Sequence, residues 1–419
     1  MDLPCASIIQ GVQYIKHVFG IEGLIVTLNF QEVHEQVAKM GEGMLSRAQQ
    51  LRQAKEKALA VLGENADNLA ALREKVLSVA RHHDPSVRCA LPTEQPLNAH
   101  FPLPSLASDL TILAADGSQI GFDRHAEVAY CLINVGAILL NSSQPETPQT
   151  VVHSHLLYED ALYTPTGVMS DAALALLRDI NERTLLADLA GQLSPPLITL
   201  ADGPMELWGG RADEIIGEVE FQQRLDEYLN VLERLCAQGV ATAGYVDRPA
   251  AGLVVRLLEI AMLPEAQMAE VKQYHPLRGV TDRALYEQLL APGERSALFA
   301  LQSQSAPNYT GELALHFFYL NVGRQDYPYI ARVEIPAWVA HNSTMLDHLH
   351  AALVGQCRVM GMRPYPYVLH RAHEMARVSQ QEKEQVTQMI LAERMRRLGV
   401  PSEKSSKQFA KDLPGRRRW

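Results

Sequence analysis

Two short apolar runs in the sequence each end in an Asp-Gly pair, and this repetition could place two carboxylates in one site. The run LAADG ends in Asp116 and Gly117, and the run TLADG ends in Asp202 and Gly203. Ligands of open α/β sheets collect beyond the carboxyl ends of the strands, so two neighbouring parallel strands of this kind would direct both aspartates into one crevice. The glycines permit a sharp turn and the close approach of a ligand. Each pair alone equally fits an ordinary Asp-Gly turn, so the prediction depends on the matched apolar runs.

Further side chains with suitable chemistry lie on two predicted helices. Glu182 falls near the edge of the apolar face of the helix that precedes the second strand, although a solvated helix position also explains it. In RPYPYVLHRAH, Tyr365-Pro366 predicts an extended entry into a helix that carries His370 and His373 on one face. A histidine there is often a packed core residue, but beside carboxylates it could bind a metal ion or move a proton.

The predicted ligand set is rich in oxygen and poor in nitrogen, and it comprises Asp116, Glu182, Asp202 and His373. Such a set suits Mg²⁺ or Mn²⁺ better than a structural zinc ion. A hard cation held by carboxylates at the edge of a sheet commonly handles phosphates, where it activates a water molecule and neutralises the oxygens of an in-line displacement. The sequence therefore predicts metal-assisted hydrolysis of a phosphodiester.

The elements that must position these side chains follow an α/β pattern. Strands are predicted at LTILAA, EVAYCLINVGAILL and VVHSHLLY, and a helix follows in SDAALALLRDINERTLLADLA with Ser170 as its N-cap and Gly191 as its stop. Further strands are predicted at PPLITLADG, VATAGYV, ELALHFFYLNVG and YIARVEIPAWV, with helices near 214–238, 343–360 and 379–398. Strands that first come in a run and then alternate with helices indicate a mixed sheet flanked by helices.

The N-terminal part of the chain is predicted to be an arm outside this sheet. GLIVTLNF is a plausible strand, and residues 31–81 have spaced apolar residues and good helix formers, with GENADN separating two helices. We expect a helical hairpin that projects from the core, followed by a proline-rich linker at 82–104. The resulting boundaries are 1–100 for strand, hairpin and linker, 101–400 for the α/β domain, and 401–419 for a basic tail.

The composition favours an unexported protein of the reducing cytoplasm. The 419 residues are 47% hydrophobic, which supplies a sizeable core, and five cysteines without a CxxC pair argue against a disulfide framework or a zinc ribbon. We expect no membrane span, because no long uncharged apolar segment is recognised. The net charge of −10 does not favour a nucleic-acid binder, but a local basic stripe would suffice to meet phosphate. The basic tail from Lys404 onward is either a solvated segment or a DNA-contacting arm.

At these residues the chain resembles the NurA nuclease family, whose members act in DNA end processing with the HerA ATPase. The similar segments are ADGSQI with YCLINVGAI, which carry Asp116, then the helix with Glu182, LADGPMELW with Asp202, and YPYVLHRAH with Tyr365 and His373. They stand in the family's order between about residues 110 and 377, and AGYVDRP and IARVEIPAW also match its pattern. The chain departs from many relatives at residue 204, where proline replaces serine, but this change removes no expected ligand.

The resemblance implies an RNase H-like core, a toroidal homodimer and Mn²⁺-dependent cleavage of DNA, with Mg²⁺ as the alternative ion. It implies a 5′→3′ exonuclease that also cuts single strands internally and works with a hexameric HerA-type ATPase in end resection and repair. Its catalytic set would be Asp116, Glu182, Asp202, Tyr365 and His373. Basic residues near the site or on the arm are expected to contact DNA, namely Arg248, Arg371, Arg377, Arg47, Arg52, Lys55 and Lys57.

Two other classes of function stay open on the sequence. The chain could be a catalytically silent ring subunit that regulates or loads a DNA-translocating ATPase, although a silent subunit would be free to lose the carboxylates and histidine that this chain keeps. An actin-like nucleotide-binding fold also uses Asp-Gly turns at phosphates. That fold should repeat a glycine-rich turn in both halves, and the ADGP segment at Asp202 lacks the Thr/Ser-Gly context that it requires.

Overall fold

The computed structural model describes residues 28–107, 109–124, 127–141, 147–165, 167–207 and 217–398. Their strands are β1 (Cys89–Pro92), β2 (His100–Phe101), β3 (Thr111–Ile120), β4 (Cys131–Asn141), β5 (Gln149–Leu157), β6 (Tyr163–Thr164), β7 (Gly167–Val168), β8 (Leu197–Asp202), β9 (Ala241–Val246), β10 (Arg295–Ser296), β11 (Phe299–Gln302), β12 (Leu315–Asn321) and β13 (Ile330–Pro336). Their helices are α1 (Phe30–Glu42), α2 (Met44–Glu64), α3 (Leu69–His82), α4 (Asp171–Ala190), α5 (Glu218–Ala237), α6 (Leu253–Met262), α7 (Asp282–Leu289), α8 (Ala337–Ala340), α9 (Ser343–Val359), α10 (Tyr367–Ala376) and α11 (Gln380–Leu398).

One large mixed sheet runs through the described part of the chain, in the order β1-β11-β12-β13-β9-β8-β3-β4-β5, and β2 and β10 extend it beside β12. Strands β3, β8 and β9 are mutually parallel, whereas β4 and β5 pair antiparallel beyond β3, and β13 and β12 pair antiparallel beyond β9. The five strands β5-β4-β3-β8-β9 have the RNase H-like arrangement of three antiparallel strands followed by two parallel ones. The predicted fold class, a mixed sheet flanked by helices, is confirmed.

Helices cover both faces of the sheet at the strands that carry the aspartates. Helix α4 packs against β3, β4 and β8, and α10 packs against β3 and β4. Successive side chains of β3 and β4 point to opposite faces of the sheet, so alternate residues of these strands face α4 and α10. Helix α4 begins and ends as predicted, since the Ser170 hydroxyl accepts a hydrogen bond from the Ala173 amide and Gly191 follows its last turn.

The N-terminal helices match the predicted arm only in part. The break between two helices falls within GENADN, as expected, but α2 and α3 bury Ala58, Leu62, Val76 and other apolar residues against α6 and β1. Of the three N-terminal helices in the described part of the chain, α1 alone has no buried residue. The prediction that the hairpin projects from the core is therefore wrong for α2 and α3, because their spaced apolar residues form a packing face. Residues 23–27 of the predicted strand GLIVTLNF lie outside the described residues, and its last two residues are the N-cap of α1, Asn29, and the first residue of that helix, Phe30.

The segment 82–104 is not a simple linker, and that prediction is wrong. Residues 89–92 form β1, which pairs with β11, and residues 100–101 form β2, which pairs with β10. Pro92 is the last residue of β1 and Pro102 directly follows β2, so both lie at the ends of short edge strands, where proline is tolerated. Among the described residues, no helix is both long and apolar enough to cross a lipid bilayer.

Candidate active site

The two predicted Asp-Gly pairs lie on neighbouring parallel strands. Strand β3 pairs with β8 up to Ala115 and Ala201, and the next residues along the two strands are Asp116 and Asp202. Both carboxylates therefore stand at the same edge of the parallel part of the sheet, as the matched runs predicted. The interpretation of both pairs as turns is wrong for the first one, because β3 continues through Asp116 to Ile120 in its pairing with β4.

The glycine after each aspartate has a different purpose in each strand. Gly203 has a φ of +86°, so it makes the left-handed exit from β8 that glycine tolerates best. Gly117 stays in an extended strand, and a Cβ atom added there would lie 2.6 Å from both the Glu182 Oε1 and the Arg178 Cγ atoms. Gly117 thus permits the close approach of helix α4 and brings the Glu182 carboxylate against the strand that carries Asp116.

Glu182 is buried, with 5% of its surface exposed, so the reading of this residue as a solvated helix position is wrong. Its Oε1 atom lies 3.3 Å from the Nε atom of Arg178. Burial is the largest cause that raises the pKa of Glu182 to about 8, and the nearby charges of Asp179 and Asp116 add to it. Burial therefore outweighs the attraction of Arg178. Burial on its own would lower the pKa of Arg178, but the surrounding carboxylates outweigh it, so the pKa of Arg178 is raised.

His373 reaches the site from the other face of the sheet. Its Nδ1 atom lies 2.7 Å from the Oδ2 atom of Asp116, while the second carboxylate oxygen accepts a hydrogen bond of 2.8 Å from the Gly117 amide. The histidine side chain is 64% exposed, so it stands at the open mouth of the crevice. His370 is on the same helix but lies 3.7 Å from Glu374 and has no contact with the aspartates in the described structure.

The close packing of α10 on strand β4 sets the position of His373. A Cβ atom added at Gly136 would lie 2.6 Å from the Ala376 amide nitrogen, so only glycine admits the helix backbone there. The Ala376 carbonyl accepts hydrogen bonds from the Ser118 hydroxyl at 2.5 Å and from the Asn134 side-chain amide at 2.8 Å. These two residues are opposite one another in the β3–β4 pairing, so the sheet holds the last turn of the helix one turn beyond His373.

Tyr365 completes the site from the segment before α10. Its hydroxyl donates a hydrogen bond of 2.9 Å to the Oδ1 atom of Asp202, and its ring packs edge-on against Tyr245 with centroids 5.7 Å apart. Tyr245 is the residue of β9 that pairs with Asp202, so the edge-on contact of the two tyrosine rings lies beside the carboxylate. Burial, then the charge of Asp202 and the hydrogen bond to it, raise the pKa of Tyr365, which therefore stays a hydrogen-bond donor.

A third aspartate at this edge was missed by the sequence reasoning. Asp247 follows the last residue of β9, and both of its oxygens accept from the Tyr329 hydroxyl, at 2.9 and 3.0 Å. Although Asp202 keeps part of its surface open to solvent, partial burial is the largest cause that raises its pKa, and the charges of Asp116 and Asp247 add to that effect. The AGYVD run that ends in Asp247 could have revealed it, because it repeats the pattern of an apolar strand followed by Asp.

The predicted DNA-contacting residues are spread over two regions. Arg248 follows Asp247 directly, with a left-handed φ of +43°, and Arg377 ends α10 four residues after His373. Arg371 is paired with Glu374, so part of its charge is already neutralised. The basic residues of the arm lie on α2, which packs on α6 and α7 rather than on the elements of the site, and they are Arg47, Arg52, Lys55 and Lys57.

The donor set suits a hard divalent cation in its chemistry. Asp116 and Asp202 lie side by side at the end of the β3–β8 pairing, and the Glu182 carboxylate packs against Gly117, next to Asp116. Burial is the largest cause that raises the pKa of Glu182 and of Asp202, and the charge of Asp116 adds to both, a cost that a cation would remove. Oxygen ligands of this kind suit Mn²⁺ or Mg²⁺. In the described ranges no three such side chains already enclose a metal position. Their oxygens are instead engaged by His373, Arg178 and Tyr365.

Comparisons with known proteins identify a family and a similar fold. A sequence profile described as the NurA domain matches residues 110–378, which span all five residues of the predicted catalytic set. The NurA nuclease from Sulfolobus solfataricus has a similar fold, with a TM-score of 0.50 and 10% identity over 87% of this chain and 97% of that chain. The catalytic domain of human Endonuclease V matches with a TM-score of 0.29 and 14% identity, covering 77% of this chain and 97% of that chain. None of the curated proteins compared with the chain matches it.

Proposed function

Because the chain belongs to the NurA family, we propose that it is a metal-dependent nuclease that hydrolyses phosphodiester bonds in DNA. The observation that supports this most directly is that Asp116 and Asp202 lie side by side on adjacent parallel strands, with Glu182 packed against Gly117 and with His373 and Tyr365 bonded to the two aspartates. These side chains come from widely separated parts of the chain, and packing the fold alone does not require that they meet.

Asp116, Glu182, Asp202 and His373 would hold the cation, which we propose is Mn²⁺, with Mg²⁺ as the alternative. When bound, a divalent cation lowers the pKa of a water molecule and offsets the charge that develops on phosphate oxygens. Tyr365 keeps one oxygen of Asp202 oriented through its hydrogen bond. The Gly117 amide does the same for one oxygen of Asp116, so each aspartate has a fixed orientation before substrate arrives.

His373 is the residue best placed to exchange protons with solvent. Its side chain is 64% exposed and its Nδ1 atom bonds to Asp116, so the other ring nitrogen is left for a water molecule or a phosphate oxygen. Glu182 supplies a carboxylate that the surrounding fold shields from water. The site thus combines a buried ligand, two oriented aspartates and an exposed histidine, which suits a hydrolysis at the edge of a DNA channel.

The finer features of the proposed activity depend on family membership. They are 5′→3′ exonuclease action, internal cleavage of single strands, a ring-shaped homodimer and joint action with a HerA-type ATPase during end resection and repair. We propose that DNA reaches the crevice past Arg248 and Arg377, for which no ion pair is found within the described residues. The division into an N-terminal part (1–100), a nuclease domain (101–400) and a basic tail (401–419) is likewise a proposal.

A digestion assay tests this proposal directly. End-labelled single- and double-stranded oligonucleotides are incubated with the purified protein and Mn²⁺, Mg²⁺ or EDTA, and the products are sized against ladders from each end. We expect cleavage with Mn²⁺, none with EDTA, and a loss on the order of 10²-fold or more for Asp116→Asn and for Asp202→Asn, because each substitution removes a major source of transition-state stabilisation.

The matched control is Asp226→Asn, an exposed aspartate of α5 whose carboxylate accepts only from Gln222 in the described structure. It should cleave like the wild type. If the wild-type protein cleaves no DNA with any divalent ion, the nuclease assignment is wrong, and the silent ring subunit becomes the better reading.

A further inference from the structure

The loop that leaves strand β8 after Asp202 is held by two buried side chains at a single residue, Met205. The Met205 amide donates a hydrogen bond of 2.8 Å to the Oε2 atom of Glu334. The Met205 carbonyl accepts one of 2.7 Å from the Tyr228 hydroxyl. Glu334 and Tyr228 are only 1% and 2% exposed, so both bonds form away from water. The amide and the carbonyl of Met205 belong to the two consecutive peptide units that flank its Cα atom, so the backbone is held on both sides of Met205 and has little freedom to shift.

The path of this loop depends on a glycine in the neighbouring strand β9. A Cβ atom added at Gly244 would lie 2.5 Å from the Gly203 carbonyl oxygen and 3.1 Å from the Met205 amide nitrogen. Gly244 pairs with Glu334 across the β9–β13 ladder, so the position that lacks a side chain is beside the carboxylate that holds the loop. The Gly203 amide also donates to the Tyr245 carbonyl at 2.8 Å, which ties the loop to β9 at its start.

The charge of Glu334 is balanced within the same strand. Its Oε1 atom accepts from the Nε and Nη2 atoms of Arg332 at 2.9 and 2.8 Å, and Arg332 is only 5% exposed. A buried carboxylate that accepts from both a guanidinium and an amide makes strong charge-assisted hydrogen bonds. A buried carboxylate without such donors would destabilise the fold. Two sequence segments thus hold the loop at Met205 together. AGYVDRP supplies Gly244, and IARVEIPAW supplies Arg332 and Glu334.

We propose that Glu334 and Tyr228 are positioning residues of the nuclease site, which hold Asp202 in place beside Asp116 by fixing the backbone on both sides of Met205, three residues further on. This inference deepens the proposed function and depends on it. Neither residue touches the crevice, so the effect is transmitted through the backbone from Met205 to Asp202. The Asp202 carboxylate accepts from the Tyr365 hydroxyl and from the Gly203 amide, so its orientation depends on the backbone at the exit of its strand.

The test compares two conservative variants with matched controls remote from the site. Tyr228→Phe removes only the hydroxyl that binds the Met205 carbonyl, and Glu334→Gln weakens the bond to its amide. Tyr130→Phe is the control for the first, because the Tyr130 hydroxyl is also buried but bonds to Thr387 on α11 rather than to the loop after β8. Glu259→Gln is the control for the second, because buried Glu259 also pairs with an arginine, Arg256, and accepts from a backbone amide, that of Leu277.

Three measurements are made on each full-length variant: amide hydrogen exchange of peptides that cover 203–207, Mn²⁺ affinity by calorimetry, and kcat and KM on a single-stranded oligonucleotide. We expect faster exchange in 203–207, and a loss of roughly 10-fold or more in Mn²⁺ affinity and in kcat with little change in KM, as is typical when an outer partner of a ligand is removed. The two controls should lower the melting temperature by a similar amount and change none of these readouts.

The proposal is overturned if Tyr228→Phe and Glu334→Gln only lower the melting temperature as their controls do, while exchange, metal affinity and kcat stay at wild-type values. If Glu334→Gln does not fold, Tyr228→Phe alone tests the proposal, because it removes a single oxygen atom and leaves the packed ring in place. Exchange of 203–207 is measured without DNA or metal. A wild-type protein that proves unable to cleave DNA would therefore contradict the proposed function, while the exchange data still decide whether the two residues fix the loop.

Discussion

His373 lies 2.7 Å from Asp116, although 257 positions separate the two residues in the chain. The contact exists because α10 packs on β4 at Gly136 and because Asn134 and Ser118 bind the Ala376 carbonyl at the end of that helix. The histidine and the aspartate therefore lie on the same face of the sheet, whereas Glu182 approaches from the opposite face, where Gly117 points. A small displacement of α10 would separate them, so the contact is sensitive to substitutions outside the crevice.

The two histidines of α10 should differ sharply in their importance. His373→Ala removes the side chain that bonds to Asp116, and we expect it to lower kcat by about 10²-fold, the lower range for a proton-transfer residue. His370→Ala is the matched control, because His370 faces Glu374 and should leave cleavage nearly unchanged. Single-turnover cleavage of the same oligonucleotide by both variants measures the difference. A larger loss for His370→Ala would show that the wrong histidine has been assigned.

Gly117→Ala should damage the site without introducing any new chemistry. The added Cβ atom would lie 2.6 Å from Glu182 Oε1 and from Arg178 Cγ, so these two side chains must shift, and the buried carboxylate moves from its place beside the strand that carries Asp116. We expect weaker Mn²⁺ binding and a destabilisation of about 1–3 kcal/mol, typical of overpacking a well-filled interior.

Gly63→Ala is the control for this substitution, since a Cβ atom there meets nothing within 4 Å. Gly63 lies inside helix α2, where alanine is favoured by up to about 1 kcal/mol, so this variant should be as stable as the wild type or more so. Calorimetry with Mn²⁺ and thermal melting distinguish the two variants. Equal metal affinity in both would argue that Glu182 is not a ligand.

The raised pKa of Glu182 predicts a pH dependence with a definite sign. The unfolded chain releases this proton near the ordinary value of 4.5, whereas the folded, metal-free protein keeps it up to about pH 8. Since the folded state binds the extra proton across this window, the contribution of Glu182 to stability is present below pH 4.5 and is lost as the pH rises towards 8. Thermal melting of the metal-free protein should follow that trend, and Glu182→Gln should flatten it.

Metal binding should release the proton that Glu182 carries in the metal-free protein. A cation that binds the Glu182 carboxylate must displace the proton, so Mn²⁺ affinity should rise with pH up to about 8 and then level off. Calorimetric titrations in two buffers with different ionisation enthalpies measure the protons released. The absence of proton release near pH 7 would show that Glu182 is already ionised or takes no part in binding.

DNA affinity should depend on salt through a confined basic surface. Each phosphate contact on a single strand contributes about −0.7 to the slope of log affinity against log salt. Replacing Arg248 and Arg377 by glutamine should therefore flatten the slope by about 1.4, if each contacts one phosphate. Metal affinity should stay unchanged, and fluorescence anisotropy of a labelled strand across a salt series measures the slope.

The arm residues Arg47, Arg52, Lys55 and Lys57 are tested in the same salt series. Their joint neutralisation flattens the slope only if DNA also runs along α2. If the arm variant alone changes the slope, DNA follows the arm rather than the crevice edge, and the assignment of Arg248 and Arg377 is wrong.

The sequence by itself determined the strands that carry the aspartates and the ends of helix α4. These features are local, because apolar runs, a serine cap and a following glycine act within a few residues of one another. The repeated pattern of an apolar strand followed by Asp-Gly was also enough to pair Asp116 with Asp202. The same pattern without glycine at Asp247 was overlooked, although its strand is the third parallel one.

Only the tertiary structure decided which residues surround those aspartates. The burial of Glu182 follows from the missing side chain at Gly117, and the arrival of His373 follows from the missing side chain at Gly136. Strands β1 and β2 likewise form only because distant strands supply their partners. A local sequence window holds no information on which backbone will face a given glycine, since strand register and helix docking arise from contacts between residues far apart in the chain. The positions that decide the chemistry of this crevice are therefore those where two remote segments approach more closely than a Cβ atom would allow.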